Sequence, residues 1–148
     1  MKQKTMCKEA MKRDLLKVYR KVTSERSFKS QTEAYQHVVE HEAPRFYVDA
    51  KWALQRLSPM MHGDNSAIEN MKPLARQMYE DLFNKVLEMK QKERYWNASL
   101  YSIVKDAVQE PSPRFYIQAD TIRHAWREFM RRRKKLTEKE NYEEISCN

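Results

Sequence analysis

Pro44-Arg45-Phe46-Tyr47-Val48 and Pro113-Arg114-Phe115-Tyr116-Ile117 are one stretch written twice, and each opens a run of about eighteen residues that aligns with the other without a gap. The pairing continues past the shared PRFY, with Ala50 against Ala119, Leu57 against Trp126, Met60 against Phe129 and Met61 against Met130. Matched identities thus run on into matched apolar sites. Ahead of each box lies a periodic segment with a Tyr-x-x-Val, Tyr35 to Val38 and Tyr101 to Val104. Helix, proline-bearing turn and helix form a unit that the chain uses twice.

Upstream of the first box, Ala10 or Met11, Leu15, Val18 and Val22 recur at spacings of three and four, which predicts a helix from about Thr5 to Thr23. Ser30-Gln31-Thr32-Glu33 reads as a capping box opening a second helix, Thr32 to about His41. Pro44 lacks an N–H and forces Ala43 out of the helical region, so that helix must stop. Phe46, Tyr47 and Val48 are expected in a short extended connector with its rings in the core. Asp49 then caps a third helix from Ala50 to about Leu57, ended by Ser58-Pro59.

His62-Gly63-Asp64-Asn65 holds the chain's one Gly between turn formers and marks the boundary between the two copies. A long fourth helix follows, with Leu74, Met78, Leu82 and Met89 on one stripe and Pro73 at its first turn or at a kink. The second copy repeats the plan with a segment from Asn97 to Val108, the Pro111-Ser112-Pro113 break, and a last helix from about Ala119. That helix turns Ile122, Trp126, Phe129 and Met130 inward. The sequence from Thr137 to Asn148 is acidic and expected to fray.

The 148 residues suit one core more readily than two, and 41% hydrophobic residues with 34% charged ones describe a folded, solvated helical globule. The mean hydropathy of −0.96 and the absence of any run near 20 apolar residues exclude a membrane span from the reading. No secretory h-region opens the chain, and Cys7 and Cys147 are too isolated for a disulfide framework or a zinc knuckle, so a cytoplasmic location is expected. A net charge of +8 favours polyanionic partners, against the plainer reading of a Lys-rich solvated surface.

Catalytic chemistry has little to stand on. His37-Val38-Val39-Glu40-His41 matches H-x-x-E-H in form, but a metal site needs a third ligand and a cleft, and the second copy offers no His pair. A single Gly excludes both glycine-rich phosphate loops. No enzyme activity, metal or cofactor is therefore expected.

The end of the second helix, the turn, and Tyr47-Val48-Asp49-Ala50-Lys51-Trp52-Ala53-Leu54-Gln55-Arg56 resemble the helix-turn-helix of resolvase-type and homeodomain-like DNA-binding proteins, over about 25 residues of each copy. The periodic segments and breaks predict an all-α fold of about six helices, as two tandem three-helix repeats at 1–61 and 67–135 packed against each other through the first and fourth helices, with a connector at 62–66 and a tail at 136–148. The resemblance implies DNA contacts from the start of each third helix: Lys51, Gln55 and Arg56, then Asp120, Arg123, His124 and Arg127. Arg45 and Arg114, at the mouths of the turns, are placed to bond helix-end carbonyls or a phosphate. Arg131-Arg132-Arg133-Lys134-Lys135 is the densest run of cations, able to neutralise several phosphates or to complement a helix C-terminus. The function expected is non-enzymatic binding of nucleic acid, double-stranded DNA above all, by a regulator or accessory factor of the kind bacteria, phages and mobile elements use; the competing class is a helical protein-interaction module.

Overall fold

The computed structural model describes residues 2–147, with side chains from 7 to 139. The described chain is helical without a strand: α1 (Lys2–Glu25), α2 (Gln31–Val39), α3 (Ala50–Met60), α4 (Ser66–Glu69), α5 (Pro73–Lys90), α6 (Leu100–Ala107) and α7 (Ala119–Cys147), with a 3₁₀ turn at Glu93–Tyr95. The all-α expectation holds, with the single-turn α4 added to the six helices foreseen. No described helix is long and apolar enough to cross a membrane.

Local chemistry explains most boundaries. Ser30 caps α2 by accepting from the Glu33 N–H at 3.2 Å, and Ser99 caps α6 by accepting from the Ser102 N–H at 3.2 Å. Glu33 reaches back to the N–H of Lys29 rather than of Ser30. Pro73 takes the first position of α5, where its missing N–H costs nothing. Gly63 turns the chain at φ +82, a left-handed conformation that suits a residue without Cβ.

The helices gather into two bundles, of which the first joins the two ends of the chain and the second is built from the helices between them. α1 and α2 pack with α7, whereas α5 and α6 pack with α3. The first bundle closes over Leu15, Val22, Tyr35, Val38, Phe115 and Ile122. The second closes over Phe46, Leu57, Leu82, Val86, Met89 and Val104. Each third helix has crossed to the other half of the chain.

The PRFY boxes make the crossing. Ala43 and Ser112 exchange both backbone hydrogen bonds at 2.9 Å, so the connectors run antiparallel, side by side. The Phe46 N–H then donates to the Val108 carbonyl after α6, and the Phe115 N–H to the Val39 carbonyl of α2, each at 2.9 Å. Two helix-end carbonyls that have no partner within their own helix are thereby satisfied by the opposite half. Phe46 stacks with Tyr116 at 6.3 Å and Tyr47 with Phe115 at 5.9 Å. Tyr47 and Tyr116 donate their hydroxyls to Asp14 of α1 and Asp81 of α5. Burial and the carboxylate acceptor push both phenols well above the usual tyrosine value of 10.0.

Five sequence expectations need correcting. The halves do not meet through α1 and α5, which stand in separate bundles; the connectors and exchanged helices join them. α3 continues through Pro59 to Met60, because the ring frees only the carbonyl of exposed Gln55 while Met60 is buried. Asp49 occupies the N-cap of α3 but makes no capping hydrogen bond, and its Oδ2 is buried without a partner. The Tyr-x-x-Val pairing is three residues out of register: the caps align Ser30 with Ser99, so buried Tyr35 corresponds to buried Val104, and Tyr101 is 38% exposed. The acidic sequence from Thr137 to Cys147 belongs to the continuous helix α7.

Candidate nucleic-acid interface

Charge divides unevenly between the bundles. Residues 1–48 and 117–148, which supply the first bundle, hold 19 Lys and Arg against 12 Asp and Glu; residues 49–116, which supply the second, hold 10 against 9. Within the first bundle the excess lies on α1 and on α7 as far as Lys135, which together carry 15 basic and five acidic side chains. Two of those five acids are occupied. Asp14 accepts from Tyr47, and Glu128 is held between Lys12 of α1 at 3.0 Å and Arg132 of α7 at 2.8 Å. The hydrogen bond and charge of Lys12, then the charge of Arg132, hold the Glu128 carboxyl below the usual carboxylate range.

α7 crosses α1 through an aromatic contact. Tyr19 meets Trp126 at 5.0 Å, Trp126 meets Phe129 at 5.8 Å, and the Arg20 guanidinium lies 4.6 Å over the Phe129 ring. Ile122 and Ala125 are buried and Trp126 and Phe129 half-buried, but Met130, expected inward, is 44% exposed because the bundle ends before it. From Met130 to Lys139 every residue is exposed, including Arg131, Arg132, Arg133, Lys134 and Lys135. His124 and Arg127 are exposed on the bundle-packed part of α7, and Arg123 is half-buried.

The cations of the other third helix stand differently. Lys51 and Gln55 are exposed on α3, but Arg56 is half-buried and donates to the Ala67 carbonyl of α4 at 3.4 Å, tying α3 to the turn behind it. The structure thus places Arg56 against protein and separates Lys51 and Gln55 from the α1–α7 surface by assigning them to the second bundle. Arg45 and Arg114 each donate Nε to the carbonyl of the following Phe, at 3.2 and 3.1 Å, rather than to a helix end. Arg45 also borders an open cleft of about 750 Å³ between the bundles, with Arg13, Asp49, Tyr101 and Lys105 around it. Lys12, Lys17 and Arg20 were not singled out from sequence; the signal for them is a basic stripe on α1 whose significance appears once α7 crosses it.

His37 and His41 have protein neighbours. His37 packs on Phe28 with ring centroids 5.5 Å apart, and His41 donates Nδ1–H to the Glu42 carbonyl at 2.7 Å. Among the described residues no three His, Cys, Asp or Glu side chains are grouped as metal ligands would be. Comparison with protein-family models, curated proteins and solved structures gives no match for this chain.

Proposed function

We propose that the protein binds nucleic acid without catalysing a reaction, that its target is double-stranded DNA, and that it serves as a regulator or accessory factor. The observation that carries this reading is the concentration of positive charge on α1 and α7, whose cations can displace counterions condensed on phosphates. In this reading the helix-turn-helix takes an exchanged form, in which α2 works with α7 and α6 with α3, the helices that pack together. Arg123, His124 and Arg127 are then the groove-facing residues of the basic bundle, with Lys51 and Gln55 at the corresponding place on the other. We take the halves as two copies of one three-helix unit, on the strength of their matched caps, connector hydrogen bonds and Tyr–Asp pairs.

Fluorescence anisotropy of a duplex of about 30 base pairs across a salt series tests the reading. Micromolar binding with a steep salt slope, reduced when Arg131 to Lys135 are all changed to Gln, is the expected result. No binding even at low salt would remove it. The protein-interaction reading then takes its place, supported by Trp52 and Trp96, which are 56% and 67% exposed on the nearly neutral bundle.

A further inference from the structure

The part of α7 that leaves the bundle is built unlike a surface helix. Met130 to Lys139 is exposed at every position, so these ten residues, about 15 Å of helix, have no buried face. At 100° per residue the five consecutive cations Arg131 to Lys135 are spread around the whole circumference, with Arg131, Lys134 and Lys135 on one side and Arg132 and Arg133 on the other. A helix lying along one phosphate backbone has use for cations on one face only. Cations all round match a site with phosphates on both flanks.

We infer that residues 130–139 of α7 enter the major groove of B-form DNA, with the two groove walls neutralising opposite sides of the helix and Lys17 and Arg20 of α1 meeting the backbone at the groove's edge. This rests on the DNA-binding reading and extends its groove contact along α7, from Arg123, His124 and Arg127 to the free segment beyond the bundle. The major groove of B-DNA, about 12 Å wide, accepts a bare helix about 10–12 Å in diameter, whereas the major groove of A-form RNA is too narrow and deep for one. Glu128, gripping Lys12 and Arg132 at the root of the free segment, fixes the direction in which the helix leaves α1. Like charges three and four residues apart repel along an isolated helix, so the run is relieved when phosphates flank it.

The test is a salt series on duplex DNA with the five single variants Arg131→Gln, Arg132→Gln, Arg133→Gln, Lys134→Gln and Lys135→Gln, alongside the wild type on an RNA duplex of the same sequence. All five sites are exposed, so the variants retain the fold. The groove assignment predicts a fall of about 0.9 in the salt slope for substitutions on both sides of the helix, smallest for Arg132, which Glu128 already half neutralises, together with preference for DNA over RNA. Loss of slope confined to Arg131, Lys134 and Lys135, or to Arg132 and Arg133, overturns it in favour of one-sided backbone contact, as does equal binding of the RNA duplex. In either case the DNA-binding reading survives. Absence of wild-type binding to any duplex overturns both.

Discussion

The two bundles share one plan and differ in what they show to solvent. Both have a serine-capped second helix, a buried PRFY phenylalanine from the crossing connectors and a tyrosine hydroxyl on an aspartate of the long helix. Yet the first carries nearly all of the net positive charge, while the second carries exposed Trp52, Trp96, Leu87 and Tyr101. The shared features belong to the interior and the connectors, where packing and backbone hydrogen bonds constrain them. The differences lie on the surface, where the fold imposes little and a partner can impose much.

The largest effects should come from the shared interior. Phe46→Ala and Phe115→Ala each remove a ring at 2% and 0% exposure, and a cost of about 3–5 kcal/mol is expected from each in urea unfolding. Because each connector hydrogen-bonds to the opposite half, both variants should still unfold in one transition. Two separated transitions would show that the bundles are energetically independent.

Tyr47→Phe and Tyr116→Phe should cost less, about 1–3 kcal/mol each, since a half-buried carboxylate loses a donor. The pair also sets a pH dependence. The phenols' pKa values are raised in the folded protein, so their contribution is full below the ordinary tyrosine value of 10.0 and is lost as pH rises above it. The melting temperature should fall on the alkaline side, and fall less steeply in the double Tyr→Phe variant. Equal responses from Tyr47 and Tyr116 would sharpen the likeness of the two bundles; a response from one alone would break it.

The smallest effect belongs to the surface of the first bundle. Lys12→Gln removes one partner of Glu128, whose carboxyl is held below its usual range, so any stability it contributes is present at neutral pH and lost as pH falls through that depressed value. Acid titration of the melting temperature should show a slightly shallower drop in the variant. No matching acid-side pairing between a long helix and a third helix stands in the second bundle among the described residues.

Much of this was legible in the residues. Pro44 and Pro113 placed the breaks, Ser30 and Pro73 placed helix starts, and the PRFY rings were readable as core anchors because bulky aromatics after a helix stop have few other places to go. The exchange of third helices was not legible. A ten-residue connector between α2 and α3 reaches either half, and Ile122 or Leu57 would fill either core, so apolar spacing alone does not choose. The connectors that carry the exchange meet through backbone hydrogen bonds between Ala43 and Ser112, which leave no side-chain signature. The candidate interface was half legible: the Arg131 to Lys135 run stands out, but the charge of α1 joins it only through the crossing at Tyr19 and Trp126. Arg56 illustrates the converse, a cation at a matched position that the fold uses internally.

Amide hydrogen exchange with and without a duplex of about 30 base pairs at low salt would test the central division most directly. The account predicts added protection in α1 and in α7 as far as Lys139, with α3, α5 and α6 unchanged. Protection spread equally over both bundles, or centred on Lys51, Trp52 and Gln55 of α3, would contradict it.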